Sequence, residues 1–328
     1  MEVGEQQYGI HAANLGNEVT MWAHSDEEYK QINENRKTKY LPNAIIPENI
    51  KCTKSLEEAI KNSELIFHVT PSKYTRETMK KYKQYITDQP VIICSKGFES
   101  STLYTLSEVA NDEMPNAKIG VFSGPSHAEE VGIGLPTTLV AGAKTEQSAR
   151  LIQDTFMNDY MRIYTSPDRL GMELGGSLKN VIALAAGMAD GLGYGDNTKA
   201  ALITRGIAEI SRLGIAMGAK PETISGLTGI GDLIVTCESR HSRNRKAGML
   251  MGQGYTMEEA TKEVQMVVEG IYSAKAALGL AEKYNVSLPI IEEVNKVLFE
   301  GKAAKDGVAD LMLRDKRVEH ADLAWEES

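Results

Sequence analysis

The sequence predicts an α/β protein: a doubly wound, mostly parallel sheet domain over residues 1–167, followed by an all-helical C-terminal domain over residues 168–328. Three observations lead there. From about residue 10 to 140, short β-rich runs alternate with helical patterns, as crossover-connected parallel strands require. After Pro167 the strand signals vanish, and Ser166-Pro167-Asp168 marks a turn where the hydrophobic period changes. The 328 residues suffice for about two domains, each able to bury its own core.

The β-rich runs are residues 18–22, 65–70, 91–95, 119–123 and 137–141. Helical patterns fall at 28–35, 76–85 and 102–111, and Ser55-Leu56-Glu57-Glu58 reads as a capping-box start. A ligand crevice belongs at the carboxyl ends of such strands. In the second half, residues 172–218 are rich in Ala, Leu and Gly at helical spacing. Pro221-Glu222-Thr223, Thr256-Met257-Glu258-Glu259 and Pro289 open further helices.

Composition narrows the function classes. With 36 Lys+Arg against 45 Asp+Glu, the net charge of −9 argues against nucleic acid, so any anion site must be local. The first seven residues lack a basic and then apolar leader, and the longest apolar stretch, 181–188, is broken by Gly187 and stopped by Asp190. No signal peptide and no membrane span are expected. Cys52, Cys94 and Cys237 fit neither a disulfide framework nor a zinc site, so a reducing cytoplasm is expected. His11, His24, His68, His127, His241 and His320 show no metal spacing, and no metal is expected.

Four segments could carry chemistry. Lys179 and Asn180 sit in an otherwise apolar, small-residue helical stretch; a desolvated lysine there can act as acid or base near neutral pH, or else snorkel to the surface. Gly229 and Gly231 precede Asp232, and Ser242-Arg243-Asn244 follows with donors suited to a phosphate; a glycine junction beside a solvated basic loop is the alternative. Ser95-Lys96-Gly97 and Ser123-Gly124-Pro125-Ser126-His127-Ala128 each follow a strand at its carboxyl end, where crevice residues or ordinary turns both occur.

Taken in order, Asn17-Glu18-Val19 before Trp22, the Lys96 turn, the Ser123 to Glu130 segment, Glu173 to Val181, Gly231-Asp232-Leu233 and Ser242-Arg243-Asn244 resemble one family. It is the NAD(P)-dependent glycerol-3-phosphate dehydrogenase family in its bacterial form, and the resemblance runs from about residue 10 to 317. It implies a Rossmann-like first domain, a helical substrate domain, and reversible reduction of dihydroxyacetone phosphate to sn-glycerol 3-phosphate for glycerophospholipid synthesis. Lys179 matches the catalytic lysine, Lys96 the second active-site lysine and Asp232 the carboxylate that orients them. Gly124, Ser126, Asn180, Thr236, Ser242, Arg243 and Asn244 match substrate-side positions, with Arg243 as the phosphate clamp. Ala128, Val267 and Glu269 match cofactor-facing positions, to which Lys96 and Arg243 also contribute.

One segment departs from the pattern. The family opens with a strand and a G-x-G-x-x-G turn, whereas Gly4-Glu5-Gln6-Gln7-Tyr8-Gly9 keeps only the first and third glycines, and Gln6 replaces the second. The stretch from Gly9 to Gly16 is about one helical turn short, and only Met1 to Val3 remain for the strand. Gly4, Tyr8 and Gly9 are the candidate cofactor residues of that turn. An altered start of an active enzyme is expected, against a weak cofactor binder or a non-catalytic phosphometabolite-binding homologue. His24 and Ser25 follow Trp22 with no immediate acidic residue, leaving NAD and NADP both open. A homodimer is expected from base rates alone.

Overall fold

The computed structural model describes residues 3–38, 44–316, 318–319 and 326; His320, noted above, lies outside them, as do Met1 and Glu2 of the expected first strand. The first unit contains α1 (Val3–Asn14), β1 (Val19–Trp22), α2 (Asp26–Asn33), β2 (Ile50–Thr53), α3 (Leu56–Lys61), β3 (Ile66–His68), α4 (Thr75–Tyr82), β4 (Val91–Ile93), α5 (Leu106–Glu113), β5 (Ile119–Ser123), α6 (Ala128–Val131), β6 (Thr137–Ala143), α7 (Glu146–Phe156) and β7 (Met161–Ser166). The second contains α8 (Arg169–Gly191), α9 (Asp196–Met217), α10 (Pro221–Ile224), α11 (Asp232–Glu238), α12 (Arg243–Gly252), α13 (Met257–Val264), α14 (Glu269–Tyr284), α15 (Pro289–Phe299) and α16 (Ala304–Met312). Strands therefore cease at Ser166 and helices take over at Arg169.

Local chemistry explains many of the boundaries. The side chains of Ser25, Ser55 and Thr145 accept from the third backbone amide of the helices they start. The helix read at 102–111 begins only at Leu106, because Leu103 turns with φ of 61° and Thr105 with Glu108 forms the capping box. Two strands, β2 and β7, are absent from the sequence reading; parallel pairing with β1 and β6 defines them.

The sheet comes in two pieces. β1 and β2 pair in parallel, and β3 to β7 form a second sheet in sequence order, parallel throughout except where β5 meets β6. Among the described residues no strand joins β1 to β3. The Gly4 to Gly9 segment, expected to be a phosphate-cradling turn after a strand, lies wholly inside α1, and Val3 is helical too. Gln6 permits ordinary helical geometry where a second glycine would favour a tight turn, and packing of Tyr8 and Ile10 against the two sheet cores settles the helix.

Helix α1 joins the two pieces instead. Tyr8 and Ala12 pack with Phe122, Leu139 and Phe156 of the larger sheet's core, while Ile10 and Ala13 pack with Met21, Ile50 and Cys52 of the smaller one. The arrangement has a cost: Gln7 Oε1 and His11 Nδ1 are buried without a partner among the described residues. Only the other ring nitrogen of His11 is satisfied, 2.7 Å from the Phe156 carbonyl oxygen.

Burial also sets a pH dependence. The His68 ring lies between Tyr82 Oη at 3.2 Å and Thr75 Oγ1 at 3.4 Å, and burial pushes its imidazole down to about 4. Below pH about 6.5 the unfolded chain takes up this proton and the folded chain does not. Stability present above that pH is therefore lost as pH falls towards 4, by about 3 kcal/mol from His68 alone. Urea midpoints measured at neutral pH and at pH about 4.5 should record the fall; equal midpoints would mean that His68 is protonated in the fold.

The helical unit is built around α8, whose residues from Gly171 to Ala189 are all buried. Its tightest neighbour is α12. A Cβ on Gly187 would stand 2.1 Å from the Arg245 carbonyl oxygen, and one on Gly248 would stand 2.1 Å from that of Leu184. Gly191 and Gly252 meet Met249 and Met188 in the same way. Backbones this close need glycine on both helices.

Candidate active site

Three segments distant in sequence meet where the sheet's carboxyl edge faces α8. Lys179 hangs from α8, Lys96 from the loop after β4, and Asp232 is the first residue of α11. Lys96 Nζ donates to Asp232 Oδ2 at 2.6 Å, and Lys179 Nζ donates to Asp232 Oδ1 and, at 2.6 Å, to Thr236 Oγ1. Thr236 in turn donates to the Asp232 backbone carbonyl. The snorkelling alternative for Lys179 falls, because the residue is only 5% exposed.

The backbone before Asp232 is unusual. Residues Leu227–Gly231 form a π-helical turn, in which a Cβ on Gly229 would stand 1.8 Å from the Ile224 carbonyl oxygen. The glycine is a close-approach residue, and the widened turn sets Asp232 against both lysines.

Charge bookkeeping explains the protonation states. Burial alone would raise the Asp232 carboxyl, but the two ammonium groups hold it below the usual carboxylate range. Burial pushes Lys179 down to about 7; the attraction of Asp232 opposes that shift and the repulsion of Lys96 adds to it. One carboxylate cannot neutralise a buried and a half-buried ammonium together, so Lys179 is poised to release its proton near neutrality.

The Lys96 loop is braced from both sides. Gly97, at φ of 134°, donates its amide to Ser177 Oγ at 2.7 Å, two residues before Lys179 on α8. The Gly124 carbonyl, in a turn with φ of 146°, accepts from Lys96 Nζ at 3.4 Å and from Ser126 Oγ at 3.2 Å. Ser126 Oγ also lies 3.2 Å from the hydroxyl of Tyr8. Asn180 Oδ1 accepts from Asn244 Nδ2 at 3.0 Å, and Asn244 Oδ1 accepts from the Gly270 amide at 2.8 Å, which locks α8, α12 and α14 together. Ser242 caps α12, and Arg243 is its first residue.

Most of the residues singled out above line one cavity of about 420 Å3: Tyr8, Lys96, Ser126, Ala128, Lys179, Asn180, Asp232, Thr236, Ser242, Arg243, Asn244, Val267 and Glu269. Gly124 reaches it through its carbonyl contacts. His24 lies apart, with Trp22, in a wider groove of about 1190 Å3 that shares Pro71, Arg243, Met266 and Val267 with the cavity. Gly9 is in the lining of neither; a Cβ on Gly9 would meet the Met21 side chain at 2.2 Å, so this glycine serves helix-to-strand packing.

Three functional neighbours escape sequence reading. Ser72 donates its amide and hydroxyl to the Glu269 carboxylate at 3.3 and 2.8 Å, closing the two units over the crevice. Ser177 braces the Lys96 turn, and Gln7 lines the cavity. No spacing rule singles out an isolated serine or glutamine. The three cysteines are free and buried, and burial raises each thiol, so none is a ready nucleophile.

Groove and cavity together make a continuous path suited to a nicotinamide dinucleotide. Trp22 and His24 stand at one end, and the Lys96–Asp232–Lys179 cluster stands at the other. Gln7, whose Oε1 is buried without a partner among the described residues, lines the cavity with Tyr8 and Lys96. The Asp26 carboxylate, at the start of α2, is engaged by Lys54.

The chain matches the model of the family described as NAD-dependent glycerol-3-phosphate dehydrogenase, its N-terminus over residues 7–149 and its C-terminus over residues 168–309. It is 62% identical over 315 residues to the glycerol-3-phosphate dehydrogenase (NAD(P)+) of Agathobacter rectalis, covering 95% of this chain and 94% of that one. It is 54% identical over 325 residues to the enzyme of that name from Fusobacterium nucleatum, covering 97% of each. Among solved structures, the glycerol-3-phosphate dehydrogenase of Coxiella burnetii superposes with a TM-score of 0.92 at 31% identity, over 96% of this chain and 97% of that one.

Proposed function

The chain belongs to the NAD-dependent glycerol-3-phosphate dehydrogenase family, and from that premise we propose how its own residues carry the reaction. The protein is an NAD(P)-dependent oxidoreductase that interconverts dihydroxyacetone phosphate and sn-glycerol 3-phosphate. One observation carries the assignment of roles: Lys96 and Lys179, from separate units, converge on the single buried carboxylate of Asp232. A binding-only homologue is not favoured.

Arg243 clamps the phosphate, with Ser242 and Asn244 beside it, and this places the carbonyl of the substrate towards Lys179. The residues lining the groove and cavity would hold a nicotinamide dinucleotide, whose chemistry would be hydride supply to the carbonyl carbon, or hydride acceptance in reverse. Lys179 Nζ then gives its proton to the oxygen, and Asp232 with Thr236 holds the amine in position. Lys96 keeps Asp232 ionised and lowers the affinity of Lys179 for its proton. Val267, Glu269, Ala128 and Tyr8 border the cofactor path.

The role of Arg243 has a direct test. Arg243→Leu should raise KM for dihydroxyacetone phosphate by about a hundredfold, because a charge-assisted phosphate contact is lost from a partly buried site. Loss of reduced-nicotinamide absorbance measures it; an unchanged KM would move the phosphate elsewhere in the cavity.

A pH dependence also follows from Lys179. As proton donor it must be charged, so carbonyl reduction should slow as pH rises through about 7. Alcohol oxidation needs the neutral amine and should quicken over the same range. Initial rates in both directions check this; parallel profiles would remove Lys179 as the group that moves the proton.

The remaining assignments follow from this reading. Residues 1–167 hold the dinucleotide and residues 168–328 the substrate, in a cytoplasmic homodimer that feeds glycerophospholipid synthesis. Among the described residues no helix is long and apolar enough to cross a membrane. Light scattering of the purified protein would decide the dimer.

A further inference from the structure

The charged lining of the cavity is lopsided. Lys96, Lys179, Arg240, Arg243 and Lys246 face Glu129, Asp232 and Glu269, an excess of cations in a chain whose net charge is −9. In the interior both lysines share the carboxylate of Asp232, and Glu269 accepts from Ser72. At the mouth the pattern differs. Arg240 and Lys246 are exposed, and neither has a carboxylate within ion-pair distance among the described residues.

Their neighbours make the contrast. Arg245, one residue before Lys246, is committed to Asp190 at 2.7 Å, and Lys199 shares that carboxylate at 3.0 Å. Glu238, two residues before Arg240, lies 3.5 Å from Lys199. Glu129, the acidic residue of the rim, lies 3.8 Å from His241. Acidic partners were therefore within reach of this segment and are engaged elsewhere, while Arg240, Arg243 and Lys246 follow one another at three-residue steps along the cavity wall.

We propose that Arg240 and Lys246 form a cationic entrance that gathers phosphomonoester dianions into the cavity and passes them to Arg243. The proposal rests on the phosphate reading of Arg243 given above. An acidic protein repels a dianion at long range, so a local reversal of sign raises the solute's concentration where it matters. The attraction is through solvent and must fade with salt, because the screening length falls from about 10 Å at 0.1 M to about 3 Å at 1 M.

The test is calorimetric titration of sn-glycerol 3-phosphate into the wild type and the Arg240→Gln/Lys246→Gln variant, without cofactor, at low and high ionic strength. The variant should bind about three- to tenfold more weakly at low salt, and the two proteins should agree at about 1 M salt. Equal affinities at low salt would overturn the proposal, as would a difference that persists at high salt, since that indicates direct contact. Turnover separates the two readings. Salt-dependent binding that the variant loses, in a wild type that does not oxidise the ligand, would keep the entrance and remove the proposed chemistry. Turnover with equal binding by both proteins would remove the entrance alone.

Discussion

Replacing Lys179 with alanine should lower turnover by about a hundred- to ten-thousandfold, the range set by loss of a positioned proton donor. The fold should survive, because Asp232 keeps Lys96 as its partner at 2.6 Å and is not left as an isolated buried charge. Lys179→Met, which keeps the apolar stem and removes the amine, should fall in the same range. Steady-state rates with reduced nicotinamide and dihydroxyacetone phosphate read the loss, and urea midpoints confirm the fold. Turnover within tenfold of the wild type in both variants would take Lys179 out of the mechanism and shift the proton to Lys96.

Alanine at Gly187 or Gly248 should destabilise the protein by about 1–3 kcal/mol. Helix propensity alone predicts the opposite sign, since alanine is better than glycine in a helix interior by about 1 kcal/mol. Packing decides the outcome: each new Cβ would stand 2.1 Å from a backbone carbonyl oxygen on the facing helix, and neither backbone can yield without moving the other. Because α12 starts with Arg243 and Asn244, its displacement should also raise KM for the phosphate substrate. Urea midpoints and KM are the readouts. A more stable variant would mean that α8 and α12 part at no cost.

The proton chemistry and the helix packing are linked through α8. The same helix carries Lys179 and Asn180 in its first half and the close-approach glycines in its second. Arg243 and Asn244 are fixed relative to Lys179 by glycine contacts at one end and by the Asn180 to Asn244 hydrogen bond at the other.

Periodicity along the chain determined the order of architecture: alternating strands and helices to Ser166, and helices afterwards. Lys179, Asp232 and Arg243 stood out in their segments as candidates, with plain structural alternatives open, and their roles came from the family resemblance. Hydrophobic period, capping and turn chemistry are local properties, and a local pattern is enough to read them.

Other features only the tertiary structure decided. The spacing of Gly4 and Gly9 is compatible with a phosphate turn and with a helix; packing of Tyr8 and Ile10 against two separate cores made it a helix. The pairing of Lys96 with Lys179 through Asp232, the Ser72 to Glu269 closure and the mutual approach of α8 and α12 each join residues far apart in the chain. Such contacts depend on how whole elements dock. Their energies come from burial and close approach between surfaces, and one segment's sequence carries only half of that information.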